Sequence, residues 1–208
     1  MKFIYKYYNN MIIKRIVPIL ALVLCASCKP SINLARDHSI KAQNGLINVV
    51  VEIPAGTSEK WEINKSNGKL SLEYIDNTPR VIKYLPYPFN YGMIPNTLLP
   101  KEEGGDGDPL DVIVIGDYIK RGSVVSAKVI GYIKMIDKSE RDDKIIAISK
   151  DSPLYFVNDI NQLNQNFPGI TKIIKTWFKN YKGENKMEIK GFSDKREAYE
   201  LINKSIIK

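Results

Sequence analysis

Residues 105–115 read Gly105-Asp106-Gly107-Asp108-Pro109-Leu110-Asp111-Val112-Ile113-Val114-Ile115. Two glycines and a proline break any helix here, and Pro109 steers Asp108 toward extended backbone. The β-branched run that follows predicts a strand over 110–115. Three carboxylates within six residues repel one another, so they either solvate a loop or hold something positive. Asp106 and Asp108 are two apart and share one face of an extended segment. Asp111 lies inside the apolar run, on the face opposite Leu110 and Val112. A carboxylate there is costly unless it is paired or ligating.

The flanking segments follow the same short-strand grammar. Ile47–Ile53 (INVVVEI) ends at Pro54-Ala55-Gly56, a buried strand and its turn. Residues 60–63 alternate as a second strand, Asn67-Gly68 signals a hairpin turn, and 69–74 return. Residues 79–100 are rich in proline and aromatic residues, which predicts an irregular or edge segment. Val124–Asp137 and residues 144–148 predict two more strands joined by a charged loop, 138–143. Together these strands suggest a small barrel.

The period then changes. Ile170, Ile173, Ile174, Trp177, Phe178 and Tyr181 recur at helical spacing, between Pro168 and Gly183 as start and stop signals. Asp194 with Glu197 caps a final helix carrying Ala198, Leu201 and Ile202. The expected class is therefore mainly β with α, an α+β chain with its helices at the C-terminal end.

Composition excludes several functions. The chain has 208 residues, 44% hydrophobic and 26% charged, an ordinary globular balance for one domain. The formal net charge is +8. Lys2, Lys6, Lys14 and Arg15 fall in the first 28 residues, which hold no acid, so the rest carries +4. That balance does not indicate a nucleic-acid partner. Both cysteines, Cys25 and Cys28, lie in the N-terminal segment, which excludes an internal disulfide or cysteine metal site in the body. A single histidine, His38, argues against a serine–histidine hydrolase or a histidine zinc site.

Lys14 and Arg15 precede the apolar run 16–24, and small residues Ala26 and Ser27 precede Cys28. A charged n-region, a short apolar core and a small-residue cleavage point define a secretory signal. The pattern resembles a bacterial lipobox, which implies cleavage before Cys28 and lipidation of that residue. Met11 begins a complete signal by itself. The expected organisation is a signal peptide over 1–27, a linker over 28–44 and one domain over 45–208. An exported protein of the bacterial cell envelope, held to a membrane by lipid, follows.

Oxygen-only donors suit a hard cation such as Mg2+. An EF-hand is a poor rival, because its sixth and twelfth positions would be Asp111 and Asp117 and a strand follows the loop. A second acid group, Asp137, Asp142 and Asp143, lies between two strands. Lys60, Arg80, Tyr87, Tyr91, Lys144, Tyr181 and Lys182 supply cations and phenols, each ordinary when taken alone.

In chain order, VVVEIPAG, EKWEI, YPFNYG, DGDPLDV, KMIDKSERDDK and NYK closely resemble the soluble family I inorganic pyrophosphatases. The resemblance covers residues 48–199, and DGDPLD is the family's specific signature. It implies a five-stranded OB-like barrel with helices packed against it, pyrophosphate as substrate, several Mg2+ ions per site and a homo-oligomer. By the same resemblance, Asp106, Asp111 and Asp142 match the principal metal ligands and Asp137 a ligand for a further ion. Asp108 matches the acid that helps activate the attacking water. Glu52 and Glu62 match acids that position waters. Lys60, Arg80, Tyr91, Lys144, Tyr181 and Lys182 match groups that hold the phosphates, and Tyr87 a pocket tyrosine.

The chain also departs from the pattern. Lys138 stands beside Asp137 where many bacterial relatives have an acid. Arg80 requires a one-residue shift, since a gap-free bacterial alignment places Pro79 there. Thr176 and Asn180 replace histidines of the hexameric bacterial relatives, so a homo-oligomer is implied without that hexamer's marks. The competing expectation is an OB-type barrel that binds phosphate or another polyanion without hydrolysis. The intact acid set argues against it, because binding a polyanion does not call for so many carboxylates.

Overall fold

The computed structural model describes residues 32–99, 101–105, 107–184 and 186–207. The expected signal segment, Cys28 and Asp106 lie outside the described residues. Strand β1 (Ile47–Ile53) is followed by four short strands: β2 (Trp61–Ile63), β3 (Leu70–Leu72), β4 (Tyr74–Ile75) and β5 (Thr78–Pro79). Then come β6 (Asn90–Met93), β7 (Asp111–Ile115), β8 (Val124–Asp137), β9 (Glu140–Arg141) and β10 (Lys144–Ser149). Helices α1 (Ile160–Asn166) and α2 (Ile170–Asn180), strand β11 (Met187–Ser193) and helix α3 (Lys195–Lys204) complete the unit.

Pairing runs β1–β6–β7–β10–β8, and β8 pairs back to β1, from Ile47↔Ala127 to Val50↔Val124. Five strands thus form a circuit consistent with the expected OB-like barrel. Strand β8 makes this possible because its 14 residues pair with β1 early, β10 in the middle and both β9 and β11 late. Among the described strands β7 and β10 run parallel, with Asp111↔Lys144 and Ile113↔Ile146 in register, and the other pairings are antiparallel.

Strands β7 and β10 are covered on both faces. Ile113, Ile115, Ile146 and Ile148 pack in one cluster with Ile174, Trp177 and Phe178 of α2. Val112, Val114, Ile145 and Ala147 pack in another with Ala198, Leu201 and Ile202 of α3. Burial on both faces explains why these strands read as unbroken apolar runs. Each fully buried isoleucine contributes about 1.5–3 kcal/mol. Helix α3 starts as expected, with Asp194 Oδ1 accepting from Glu197 N at 2.8 Å, a cap that contributes about 1 kcal/mol.

Four local expectations are corrected. The hairpin expected at Asn67-Gly68 forms between β2 and β3, but its turn is longer than two residues, since Ile63 pairs with Leu70 and Gly68 N bonds back to Asn64 O. The two-residue turn lies instead at Asp76-Asn77, both at positive φ, between β4 and β5. The segment 79–100 is not an edge throughout, because β6 is buried along its whole length between β1 and β7. Gly92 permits this: a Cβ there would stand 1.9 Å from Val50 O. The charged loop 138–143 contains a tight hairpin, with Lys138 and Ser139 at positive φ and β9 folding back on β8. Strand β11 and helix α1 were not anticipated at all.

Residues 33–46 pack on the folded unit. Asn48 N bonds Ile40 O at 2.9 Å, and Asn96 Nδ2 donates to His38 O at 2.7 Å. Fully buried Asn90 cross-links the neighbouring loops. Its Oδ1 accepts from Ala55 N and Ile119 N, and its Nδ2 donates to Asp117 O at 2.8 Å.

Candidate active site

The site stands where the core face of the sheet meets solvent. Partners across a register share a face, so Asp111 extends the Ile113–Ile115 row and Lys144 extends the Ile146–Ile148 row. Lys144 is only 3% exposed, and its Nζ reaches Asp111 Oδ2 at 2.5 Å and also Asp142 Oδ1. Burial opposes its charge, but Asp111 and Asp142 outweigh burial and hold the ammonium well above the ordinary lysine range. Burial raises the Asp142 carboxyl, with Lys144 opposing and Asp111 adding to the rise. Two carboxylates therefore converge on one positive charge.

A second group comes from β1 and β2. Buried Glu52 accepts from Ile63 N at 2.7 Å, which ties the two strands together. Its pKa is pushed up to about 8 by burial, against the pull of Lys60 and with help from Asp111. Lys60 pairs with Glu62 at 2.9 Å and lies over the Tyr91 ring, 5.5 Å from its centroid. Lys144 lies 5.9 Å from the same centroid. Glu62 is lowered overall, because Lys60 outweighs burial. Glu52, Lys60, Glu62, Asp108 and Asp111 line one cavity of about 70 Å³, space for a few waters. Larger hollows exist elsewhere on the surface, but this one gathers four carboxylates.

Helix α2 supplies the third wall. Trp177 stacks on Tyr181 with centroids 4.6 Å apart and contacts Tyr87 at 4.4 Å. Its Nε1 donates to Leu85 O at 2.8 Å, fixing the aromatic segment against the helix. Burial raises Tyr87 and Tyr91 far above ordinary phenols and Tyr181 to about 12. All three remain neutral donors. Lys182 Nζ meets Asp137 Oδ2 at 2.5 Å and acts electrostatically on Asp142. Arg80 donates to both oxygens of Glu73 at 2.7 Å, and it lies within electrostatic reach of Tyr181 and Tyr87.

Every described residue expected at the site therefore falls in one neighbourhood, and Asp106 lies outside the described residues. Asp143 does not join it, since its carboxylate accepts from Met135 N and Arg141 Nε and is structural. Three contributors were missed. Lys65 pairs with Asp108, Glu73 holds the Arg80 guanidinium, and Trp177 organises the tyrosines. Lys65 and Glu73 carry no local sequence signal. Trp177 was visible only as one apolar position on a helix.

No three described acidic side chains form a complete cation cage. The donor set still fits Mg2+: its oxygens are hard, and Asp111 and Asp142 already close on a cation.

A five-strand circuit with a mouth of carboxylates, lysines and neutral phenols defines a phosphate-handling enzyme of the hard-cation class. A family profile described as inorganic pyrophosphatase matches residues 49–208, and the chain belongs to that family. It is 33% identical over 165 residues to the inorganic pyrophosphatase of Nostoc, covering 78% of this chain and 90% of that protein. It is 37% identical to the soluble inorganic pyrophosphatase of Zea mays, covering 77% and 71%. Among solved structures, recombinant inorganic pyrophosphatase from T brucei brucei superposes with a TM-score of 0.80 at 29% identity. That match covers 85% of this chain and 59% of the other, so this chain spans about three fifths of it. The Thermus thermophilus enzyme gives a TM-score of 0.72 at 28% identity, covering 84% and 97%.

Proposed function

We propose that this chain hydrolyses inorganic pyrophosphate to two phosphates and does so as an exported, lipid-anchored enzyme. The observation that carries the chemistry is the convergence of Glu52, Glu62, Asp108 and Asp111 on one cavity beside Lys60 and Lys144. A polyanion needs cations around its oxygens and a base near its water, and both halves are present.

Asp106, Asp111 and Asp142 would hold the principal Mg2+ ions and Asp137 a further one. An ion held by these carboxylates would supply charge to neutralise phosphate oxygens and would make a water more acidic. Asp108 takes the proton of the attacking water, while Glu52 and Glu62 orient waters in the cavity. As the new O–P bond forms, the bridging P–O bond breaks and charge builds on the departing phosphate. Lys60, Lys144, Lys182 and Arg80 stabilise that charge, and Tyr91 and Tyr181 donate hydrogen bonds as neutral phenols. Tyr87 supports them through Trp177. The products are two phosphates and a released proton.

Export and anchoring rest on residues 14–28: basic Lys14 and Arg15, the apolar run, and Ala26-Ser27-Cys28. Among the described residues no helix is long and apolar enough to cross a membrane.

The full chain in detergent should release phosphate from pyrophosphate with Mg2+ and stop with excess EDTA. Asp108→Asn should keep its circular dichroism and lose about 10²–10⁴ in kcat. Near-normal turnover would remove Asp108 from the mechanism. Fatty-acid labelling should mark the wild type and not Cys28→Ser, and equal labelling would defeat the anchor.

A further inference from the structure

A groove of about 590 Å³ opens outside the catalytic mouth, and Lys138, Lys175, Lys179 and Lys186 line it with Glu188. All four lysines are exposed. The groove's one acid, Glu188, is engaged by Lys190 at 2.6 Å, and the neighbouring Asp137 by Lys182 at 2.5 Å. The four lysines form no ion pair with those acids.

Their placement has a direction. Lys175 and Lys179 are one helical turn apart on α2, and Tyr181 keeps helical backbone angles beyond its end. Lys175, Lys179 and Lys182 therefore follow one helix face at i, i+4 and i+7, and the row ends at the catalytic mouth. The opposite wall is the β8–β11 ladder, where Asp137 pairs with Met187. Lys138 follows Asp137 in the tight turn, and Lys186 precedes Met187. Both walls thus carry lysines outward from the Asp137–Lys182 pair.

Four like charges around one groove raise the local potential for anions. The groove is solvent-facing and its lysines are spread over two walls, without the enclosed donors that would hold a compact anion. An extended chain with a negative charge on every repeat fits it better. Resting on the proposed function, we propose that this groove binds the distal phosphates of a linear inorganic polyphosphate whose end occupies the catalytic mouth.

The test is competition by chain length. Pyrophosphate hydrolysis by the full chain is measured with Mg2+ against tripolyphosphate and a longer polyphosphate as inhibitors. Wild type should bind the longer chain more tightly. Lys175→Gln/Lys179→Gln/Lys186→Gln should weaken that inhibition about tenfold and leave kcat/KM for pyrophosphate unchanged. A control triple, Lys41→Gln/Lys69→Gln/Lys204→Gln, removes the same charge elsewhere and should behave as wild type. Equal weakening in both triples would reduce the effect to net charge and overturn the proposal. So would unchanged inhibition in the groove variant, including the case where that variant instead loses binding to phosphatidylglycerol vesicles. Direct calorimetry of polyphosphate binding separates the two readings. If pyrophosphate is not hydrolysed, groove-dependent binding still decides whether the groove holds polyphosphate.

Discussion

Lys144 and Ile146 stand two residues apart on one strand, face the same way and pair with Asp111 and Ile113 on the same parallel neighbour. One rung is dry and apolar, and the next holds three charges. At Ile146 the surroundings are isoleucine and the aromatic face of α2, so burial stabilises the fold. At Lys144 the same burial would be prohibitive without Asp111 and Asp142, and it confines their field to the mouth. A single ladder thus shifts from holding the barrel together to gathering charge at the mouth, within two residues of each strand.

The comparison would be sharpened most by changing each rung in turn. Lys144→Gln should lower kcat by about 10²–10³, as expected for loss of a preorganised charge in a dry site. Its effect on the urea midpoint with Mg2+ should be the smaller one. Ile146→Ala should do the reverse, costing about 2–5 kcal/mol in stability while retaining turnover per folded molecule. If both variants lost stability alike and activity alike, the two rungs would not be functionally distinct.

Glu52 tests the border between them. Burial pushes its carboxyl up from the ordinary 4.5 to about 8 in the fold. A raised folded pKa means that stability is fully present below the unfolded pKa and is lost as pH rises through the folded one. In EDTA the wild type should therefore lose stability between pH 4.5 and 8, on the order of 4 kcal/mol. Glu52→Gln should flatten that slope. Parallel urea-midpoint profiles for the two proteins would show that Glu52 is already ionised within the fold. On the other cover of the sheet, Asp194→Ala should cost about 1 kcal/mol by removing the α3 cap and leave kcat unchanged. A change in kcat would mean that α3 reaches the mouth.

Much of the fold was legible where local chemistry is strong. The apolar runs at β1, β7, β8 and β10, the helix between Pro168 and Gly183, and the Asp194 cap all appear near their expected places. Strand β6 was hidden because prolines and aromatics resemble an irregular segment. Its burial depends on Gly92 lying against β1 and on Asn90 bonding across loops. Strand β11 was hidden because Met187–Ser193 carries charges and a glycine and needs β8 as a partner. For the candidate site, residue types and motif order were legible, but partners such as Lys65 for Asp108 and Glu73 for Arg80 were not.

By itself the sequence determined the alternation of strand and turn, the helical C-terminal third, the acid-rich loop before β7 and the family resemblance. These depend on neighbours a few residues apart, whose periodicity and turn preference act within the chain. Tertiary structure decided which charges meet. Lys144 finds Asp111 across 33 residues and Lys182 finds Asp137 across 45. Those meetings depend on strand register around the circuit and on where α2 lies, and distant contacts, not local propensity, set both.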